Sequence, residues 1–403
     1  MVEDRRQKVI VIGHGYTSRL GVVRALGRSG YEVDVVVMMV NKRRGKFDKT
    51  PPIDSYSKYV NNVYYCEPDR DKLISLLLSF CTDTTQKVIL FPDSDFSAAA
   101  IDLNLHRLEG YFLFPHIGKT QGAVVSWMNK IRQKELAQKV GLNVAKGVVI
   151  EVREGQYEIP SEVTYPCFPK PLATLVGAKT GLGRCDSEQQ LRESIELLIN
   201  RCATISILVE EFKSIEQEYA LMGVSDGRFV HIPGILRITS LASGSHYGVA
   251  KQGEIIPVDG FEDLLERFKA FVQDTGFVGI FDIDFYRSEG HFFFCEMNFR
   301  YGGSGYAYTE SGVNLPVAYI KSLNGESIEK MAMVKENFIY INERMCLEDW
   351  NNGFIPTREF VSLLRNRDIS FIFDSKDVRP GRMFKKMALG VCVKRAMKMV
   401  LHR

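Results

Sequence analysis

The order of apolar runs along the chain predicts a parallel α/β domain at the N-terminus, followed by a region of α+β class. Near the start, a short apolar run, a glycine turn, a helical pattern and a β-rich run follow one another, as in a βαβ unit. Further helix and strand signals follow before residue 115. Beyond them, alternating runs joined by short turns indicate the strands of an antiparallel sheet.

The first βαβ unit begins with the apolar run Lys8–Ile12 and ends with the β-rich run Val33–Met38. Between them stand the turn Gly13-His14-Gly15 and a helical pattern. Later elements are predicted as a helix over Leu73–Phe80, a strand over Lys87–Phe91 and a helix over Phe96–Leu105. Residues 1–115 are therefore predicted to form a small parallel α/β domain.

The glycine turn does not fit the fingerprint of a nicotinamide cofactor. That fingerprint needs a third glycine and an acidic residue ending the next strand, whereas Gly21 is too distant and Asp34 lies inside the strand. Asp93 and Asp95 follow a later strand, at the sheet edge where α/β ligands bind. They are candidates to bind an amine, and the alternative is N-capping of the next helix by Ser94 or Asp95.

Composition and charge describe an ordinary globular protein. The 403 residues are 45% hydrophobic and 25% charged, and the net charge of +3 is too close to balance to indicate nucleic-acid binding. The eight cysteines form no CxxC pair, which argues against a zinc site or a disulfide framework and favours a cytoplasmic protein with reduced thiols. The polar start predicts no signal peptide, and no segment reaches the roughly 20 apolar residues of a membrane helix.

The middle of the chain has a different pattern. Residues 118–145 and Ser187–Asn200 are predicted to be helical. Antiparallel strands are predicted at Tyr219–Val224, Phe229–His231, Gly279–Tyr286 and His291–Met297. From residue 334 onward the pattern weakens, with strand candidates at Asn337–Ile341 and Ile369–Phe373.

Side chains that could bind a metal lie in two neighbouring strand candidates joined by Ser288-Glu289-Gly290. Because residues two apart on a strand share a face, Glu296, Asn298 and Arg300 lie together, and Asp284 can lie opposite them. Two carboxylates and an amide oxygen suit Mg²⁺, and the arginine can bind phosphate. The alternative is the solvated face of a hairpin. The flanking phenylalanines argue against it, because burying unpaired carboxylates is costly.

The run Cys295-Glu296-Met297-Asn298-Phe299-Arg300 resembles the metal motif of the ATP-grasp ligases. The following runs, Tyr301–Tyr306 and Glu310–Pro316, are similar to the carboxylate–amine ligase branch typified by D-aspartate ligase. Carbamoyl-phosphate-synthase-like proteins are also similar. The resemblance covers about residues 1–325, and it depends on an ordered set of motifs more than on any one of them.

Three motifs in family order imply contacts with phosphate. Lys130, in Met128-Asn129-Lys130, resembles the phosphate-binding lysine at the entry to the ATP-binding lobe. Lys170, in Pro166–Pro171, resembles the strand lysine that contacts phosphate and adenine. The run Gly177–Gly183, with Gly181 and Gly183, is similar to the mobile loop that covers the phosphates.

The resemblance also implies an adenosine site. Glu210, Glu211, Phe212 and Lys213 are similar to the linker beside adenine, where backbone groups of Glu211 and Lys213 bind the edge of the base. Glu218 is similar to the carboxylate that binds ribose.

The implied architecture is a pre-ATP-grasp domain followed by a two-lobed ATP-grasp fold. The implied limits are 1–115 for the Rossmann-like pre-ATP-grasp domain, 116–210 for the N-lobe, 211–330 for the C-lobe and 331–403 for a C-terminal extension. The implied cofactors are ATP and Mg²⁺ or Mn²⁺, with the metal bound by Asp284, Glu296 and Asn298.

The implied activity is ATP-dependent joining of a small-molecule carboxylate to an amine, in a pathway such as cell-envelope or polysaccharide synthesis. Phosphate transfer would give an acyl phosphate. Arg300 or Arg237 would then stabilise the oxyanion that forms when the amine attacks. Two alternatives stay open: a carbamoyl-phosphate-synthase-like enzyme with another acceptor, and a nucleotide-binding protein without catalysis.

The run after Arg237, Ile238–Gly248, has two interpretations. It is either a substrate-binding loop near the active site or an ordinary surface loop. His246 within it is expected to be structural or exposed.

The residues after Asp377 carry basic charges only, with Phe384, Met387, Ala388 and Val391 at helical spacing. They are either a packed or solvated terminal helix or a basic helix on the inner surface of an anionic membrane. A homodimer is a further expectation, because related ligases often form dimers.

Overall fold

The computed structural model describes most of the chain. The described ranges are 7–14, 17–39, 41–43, 45–81, 86–172, 183–200, 204–244 and 248–401, with side chains up to Cys392.

The N-terminal region contains a five-stranded parallel sheet with helices on both faces. In chain order the strands of the N-terminal region, inside and outside this sheet, are β1 (Lys8–Gly13), β2 (Glu32–Met38), β3 (Lys42–Arg43), β4 (Lys46–Phe47), β5 (Val60–Cys66), β6 (Val88–Pro92) and β7 (Phe112–Leu113). The sheet order is β5-β2-β1-β6-β7, and β3 and β4 form a separate ribbon. The helices are α1 (Thr17–Arg28), α2 (Arg70–Leu78), α3 (Asp95–Asp102) and α4 (Leu105–Leu108), with a 3-10 turn at Ile53–Tyr56.

Both faces of β1 are buried. Val9 and Val11 pack in one apolar cluster, and Ile10 and Ile12 pack in another on the opposite face. A continuous apolar run is what a parallel strand covered on both faces requires. The predicted parallel α/β domain is therefore confirmed.

A small antiparallel sheet follows, after a helical connection. The elements of this part are β8 (His116–Ile117), α5 (Ala123–Trp127), α6 (Lys130–Lys139), β9 (Asn143–Val144), β10 (Gly147–Val152), β11 (Cys167–Pro171), α7 (Glu188–Ile199) and β12 (Ile205–Glu211). Strand β12 lies between β10 and β11, antiparallel to both. Leu191, Ile195 and Leu198 of α7 pack against this sheet, as the amphipathic pattern predicts.

The remainder of the chain is organised around a large sheet. Its elements are β13 (Gln217–Asp226), β14 (Val230–His231), β15 (Ile235–Leu241), β16 (Ala250–Ile256), α8 (Glu262–Thr275), β17 (Phe277–Ser288), β18 (His291–Asn298), α9 (Tyr306–Glu310), α10 (Leu315–Leu323), β19 (Phe338–Ile341), α11 (Glu343–Asn352), α12 (Thr357–Arg365), β20 (Ile369–Ser370) and α13 (Val378–Leu401). The order is β20-β19-β16-β15-β13-β17-β18-β9, with β14 beside β13 and β8 beside β17.

The two faces of the large sheet belong to different cores. One face packs against α8 through residues such as Leu221, Ile283 and Met297. The opposite face carries Met222 and Ile280 and joins the core that contains the first strands of the N-terminal sheet. Successive side chains along β13 and β17 therefore point alternately into the apolar core beside α8 and towards the N-terminal domain.

The weak pattern after residue 334 contains two short strands of this same sheet. β19 pairs with β16, and β20 pairs with β19. The basic tail forms the helix α13, in which Phe384 is buried, whereas Met387 and Leu389 are exposed. In the part of the chain that the structure describes, no helix is long and apolar enough to cross a membrane.

Arg24 on α1 connects the N-terminal domain to residues near the C-terminus. Its side chain is fully buried. Its Nε donates to Oδ2 of Asp377 at 3.0 Å, and its Nη1 and Nη2 donate to the carbonyls of Phe371 and Ile372 at 3.0 and 2.8 Å. Asp377 also accepts from the hydroxyl of Ser57 at 2.8 Å.

Arg24→Met is expected to lower the free energy of unfolding by about 3–5 kcal/mol, because it leaves a buried carboxylate without its cation. Urea denaturation measures the change. Arg192→Met is the matched control, because Arg192 makes an exposed ion pair with Glu188 at 2.6 Å, and such pairs contribute little. Equal, small effects of the two substitutions would contradict this role for Arg24.

Candidate active site

The β17–β18 hairpin brings four polar side chains to one face of the large sheet. Asp284 lies directly opposite Glu296, and Asp282 lies opposite Asn298. The amide nitrogen of Asn298 is 3.4 Å from Oδ2 of Asp284. Glu296 and Asn298 are buried, at 8% and 5% exposure, so these groups lie in a cleft and not on a solvated face.

The alternation that places these groups together also explains why the hairpin forms. Ile283 and Met297 point to the other face, into the apolar cluster beside α8. The turn contains Glu289 and Gly290 at φ values of +51° and +76°, and glycine adopts this left-handed conformation without steric cost. A register shift follows the Asp284–Glu296 pair. The predicted turn and the shared face of Glu296 and Asn298 are present as expected.

Helix α6 places Lys130 against this hairpin. The side chain of Asn129 caps the helix by accepting from the backbone N–H of Ile131 at 2.9 Å. Gln133 then makes two hydrogen bonds with the backbone of Met297, at 3.0 and 2.8 Å. In this position Nζ of Lys130 lies 3.0 Å from Oε2 of Glu296.

A second charged cluster surrounds the buried carboxylate of Glu210 on β12. Nζ of Lys170, on β11, lies 2.7 Å from Oε2 of Glu210, and Lys134 of α6 contacts the other oxygen. Lys134 also donates to the carbonyl of Ala145 at 2.7 Å. Burial, together with the charge of Lys170, lowers the pKa of Lys134 to about 7, whereas the contact with Glu210 favours its charged form.

Lys134 was not among the residues singled out from the sequence. The signal that could have found it is its spacing, because it lies four residues after Lys130 and residues four apart share one face of a helix.

Arg300 occupies the end of the hairpin that faces the N-terminal domain. Its Nε lies 3.1 Å from Oδ1 of Asp95, and its Nη1 lies 3.6 Å from Oδ2 of Asp282. Burial alone would lower the pKa of Arg300, but the carboxylates of Asp95, Asp282 and Asp284 raise it. The guanidinium therefore stays charged in a largely enclosed position.

Asp282 is a second residue that the sequence analysis missed. It is two residues before Asp284 and so shares its face. A Cβ atom at Gly302 would lie 2.7 Å from the Asp282 carboxyl carbon, so the glycine allows the backbone to pass close to this group.

No family model matches the chain. It is 24% identical over 232 residues to the carbamoyl phosphate synthase large chain of Agathobacter rectalis, covering 57% of this chain and 20% of that protein. With the corresponding protein of Clostridium botulinum it is 24% identical over 321 residues, covering 74% of this chain and 27% of that protein. The chain thus spans a fifth to about a quarter of the length of these curated relatives.

Solved structures resemble the chain over most of its length. The L-amino acid ligase of Bacillus licheniformis has a TM-score of 0.58 at 15% identity, covering 83% of this chain and 79% of that one. The ADP complex of N5-carboxyaminoimidazole synthetase from Staphylococcus aureus has a TM-score of 0.60 at 15% identity, covering 86% and 85%. Biotin carboxylase from Campylobacter jejuni gives 0.61 at 16%, covering 82% and 74%.

The chain has the ATP-grasp fold. The resemblance stated from the sequence and the α/β and α+β fold class are confirmed. The small sheet of β10–β12 lies within the predicted N-lobe, whereas the large sheet takes strands from the predicted N-lobe, C-lobe and C-terminal extension. The domain limits stay predictions.

The residues predicted to lie beside adenine are at the end of β12. The carboxylate of Glu211 accepts from the backbone N–H of Lys146 at 3.0 Å, and Nζ of Lys213 lies 3.5 Å from it. The backbone N–H of Phe212 donates to the carbonyl of Pro166 at 2.9 Å. These contacts fix the chain where the adenine edge was predicted.

Glu218 lies on β13, which pairs directly with strand β17 of the β17–β18 hairpin. It is paired with Tyr286, and Ala220, two residues on, is paired with Asp284, so Glu218 and Asp284 share a face. Burial raises the pKa of the Glu218 carboxyl. The structure thus brings the predicted ribose carboxylate to the same side of the sheet as the predicted metal ligands.

Arg237 lies on the wrong face for the role expected of it. It pairs with Tyr219 on β13 and Glu254 on β16, and Tyr219 in turn pairs with Phe285. Asp284, next to Phe285, points to the opposite face because strand side chains alternate. Arg237 forms an ion pair with Glu254 there. The prediction that Arg237 stabilises the oxyanion is therefore wrong for this structure.

Part of the predicted site is outside the described residues. Gly181 and most of the glycine loop fall within residues 173–182, and His246 falls within 245–247. Gly183 is described and directly precedes Arg184, whose guanidinium carbon lies 4.9 Å from the centre of the Phe212 ring.

The residues of the hairpin fit a small hard cation. The paired carboxylates of Asp284 and Glu296 and the amide of Asn298 converge from adjacent strands, and carboxylate and amide oxygens are the ligands Mg²⁺ prefers. Within the described ranges, no group of three or more His, Cys, Asp or Glu residues is placed to hold a metal ion. The predicted set of Asp284, Glu296 and Asn298 contains two carboxylates only, so a metal ion there would need further oxygen ligands.

The end of β6 settles the capping question raised by the sequence. Ser94 is the N-cap of α3 and forms a capping box with Ser97. Asp95 is the first helical residue and pairs with Arg300. Asp93 is buried beside Gly13, and neither of its oxygens has a hydrogen bond of good geometry, although Ser18 lies close enough to lower its pKa.

Asp93→Asn is expected to stabilise the fold above neutral pH. Burial raises the pKa of Asp93 to about 7, against the opposing influence of Arg19 and Arg300 and with support from Asp54. Because the folded pKa exceeds the unfolded value, the contribution of this carboxyl to stability is present at low pH. It is lost as pH rises from about 4 to about 7.

The stabilisation by Asp93→Asn should therefore grow with pH towards about 4 kcal/mol near pH 8. Urea denaturation at pH 5 and pH 8 measures it, with exposed Asp71→Asn as the control. A difference between Asp93→Asn and the parent that is independent of pH would contradict this prediction.

Proposed function

We propose that this protein is an ATP-dependent ligase that activates a carboxylate as an acyl phosphate and joins it to an amine. The observation that carries the proposal is the convergence of Lys130, Asp284, Glu296 and Arg300 in one cleft, on the face of the sheet that also bears Glu218. This set supplies cations for phosphates and acidic ligands for a metal, with a partly buried arginine beside them.

ATP would lie between the two lobes. The backbone around Glu211 and Lys213 would hold the adenine edge, and Glu218 would hold the ribose. Lys170 and Lys130 would neutralise phosphate charge, each moving from its present carboxylate partner towards the nucleotide. The ADP complex of the similar N5-carboxyaminoimidazole synthetase supports nucleotide binding by this fold.

Mg²⁺ or Mn²⁺ held by Asp284, Glu296 and Asn298 would supply charge compensation for the phosphates. The remaining chemistry belongs to the substrates. The substrate carboxylate attacks the terminal phosphorus of ATP, the bond to the bridging oxygen breaks, and ADP leaves. The amine then attacks the acyl carbon, its C–N bond forms, and the departing phosphate takes the proton that the amine loses.

Arg300 would stabilise the negative charge on the acyl oxygen during the second step. Its side chain is partly buried and held by Asp95 and Asp282, and the guanidinium cannot readily lose its proton. Preorganised cations of this kind stabilise a transition state without reorganisation during the reaction.

The similarity to carbamoyl phosphate synthase large chains favours a second candidate function, in which the activated carboxylate is bicarbonate. Both candidates use the same cleft. Contact of α13 with an anionic membrane, a homodimer and the pathway stay predictions.

ADP release distinguishes these possibilities when it is measured with pairs of carboxylates, including bicarbonate, and amines, including ammonia, polyamines and amino acids. The ligase proposal predicts ADP release that needs both partners. Stimulation by bicarbonate alone supports the second candidate. Tight ATP binding without stimulation by any pair would overturn both.

Lys170→Ala and Glu296→Gln are each expected to lower kcat by about 10²–10³, because each removes charge that acts on the transferred phosphoryl group. ADP release measures the change. Lys139→Ala is the control, because Lys139 is an exposed residue of α6 that pairs with Asp274 at 3.5 Å. Full turnover in either test variant would refute the mechanism.

Arg300 and Arg237 provide a matched pair of arginines on one sheet. Arg300→Lys, which keeps a charge but loses the planar guanidinium, is expected to lower kcat by about 10–100-fold. Arg237→Lys should leave kcat nearly unchanged, since Arg237 lies on the other face. ADP release measures both, and circular dichroism verifies folding. A larger loss from Arg237→Lys would show that the assignment of faces to functions is mistaken.

A further inference from the structure

A cavity of about 430 Å³ lies at the carboxyl end of the N-terminal parallel sheet. Its lining consists of His14, Arg70, Ser94, Asp95, Phe96, Ala99 and Ala100. His14 directly follows β1, and Ser94 and Asp95 follow β6. The chain continues from β1 to β2 on one side of the sheet and from β6 to β7 on the other. The cavity therefore lies at the switch point where open α/β sheets bind ligands.

Asp95 connects this cavity to the reaction centre. Its side chain lines the cavity, and its Oδ1 lies 3.1 Å from Nε of Arg300. A molecule in the cavity that extends past Asp95 therefore reaches the arginine assigned to the acyl oxygen. The cavity volume is in the range of small-molecule binding sites.

One part of the lining favours a negative group. Arg70, the first residue of α2, is exposed and lines the cavity, so its guanidinium supplies positive charge there. A carboxylate can form a bidentate pair with such a guanidinium.

Another part favours an ammonium group. Nδ1 of His14 lies 3.2 Å from the carbonyl oxygen of Met38, so a neutral ring that donates there presents Nε2 as an acceptor. Burial lowers the pKa of His14, which favours the neutral ring. The carboxylate of Asp95 is a second acceptor. Phe96, Ala99 and Ala100 add an apolar wall that suits a carbon side chain.

We propose that this cavity binds an α-amino acid, which is the amine substrate of the ligase. Its carboxylate lies at Arg70, and its amino group lies near Asp95, towards Arg300. The proposal rests on the proposed function for the role of the amino acid, but binding itself requires no turnover. The presence of a cationic group and of two acceptors in the lining of one cavity carries it.

Saturation-transfer NMR tests binding directly, with a mixture of the twenty standard amino acids as one probe and a mixture of their α-carboxamides as the other. The full chain is expected to transfer saturation to one or more amino acids. Affinity for the corresponding amide should be about tenfold lower or more, because the amide loses the charge paired with Arg70.

Arg70→Met should remove the preference for the free carboxylate, and Asp95→Asn should weaken binding of both probes. Arg70 is exposed, so its substitution leaves the core intact. Lys72→Met is the matched control, because Lys72 is a cation of the same helix that pairs with Glu67 and does not line the cavity. It should leave binding unchanged.

The proposal is overturned if no amino acid binds, if the amides bind as tightly as the acids, or if Arg70→Met keeps the preference. These outcomes are independent of the ligase itself. ADP release stimulated by ammonia or polyamines but by no amino acid would leave the ligase in place and refute only this inference. Amino-acid binding without any ADP release would support this inference and refute the proposed ligase activity.

Discussion

The buried carboxylate of Glu210 is the charge on which the geometry of the cleft depends. An unpaired carboxylate at this depth would destabilise the fold by several kcal/mol. Lys170 approaches one oxygen from β11, and Lys134 approaches the other from α6. Because Gln133 holds α6 on the β17–β18 hairpin, the same carboxylate links the small sheet to the large one. The ion pairs of Glu210 thus help to set the distance between the core of the small sheet and the core beside α8.

The same logic extends to the other end of the cleft. Asp282, Asp284 and Glu296 lie on one face, and the cations that accompany them come from elsewhere in the chain, Lys130 from α6 and Arg300 from the segment after β18. Each of these charged groups therefore has an ion-pair partner within the chain. In the proposed mechanism a nucleotide or substrate would replace some of these partners, so that binding would exchange ion pairs without leaving a buried charge unpaired.

Local sequence patterns were sufficient for the parts of the fold that local physics controls. The alternation around Asp284 and Glu296 predicted the hairpin and the shared face, and the apolar run of β1 predicted the first strand of a parallel α/β domain. For Arg237, local patterns did not predict the face of the sheet on which the side chain lies. Its face depends on its register with Tyr219, and register between distant strands is set by tertiary packing. The two short strands after residue 334 were weak signals for the same reason, because β19 pairs with β16 far back in the chain and β20 pairs only with β19 among the described strands.

Arg24 has a consequence for how the protein is made. Its principal partner, Asp377, is 353 residues away, yet Arg24 lies in the first helix and has no exposure to solvent. Domains generally fold as they leave the ribosome, N-terminal first. Here Arg24 leaves the ribosome 353 residues before its partner Asp377, so α1 cannot reach its final environment until residue 377 has been synthesised. The N-terminal domain is therefore synthesised before the segment that contains Asp377, but it completes its packing only when that segment is present.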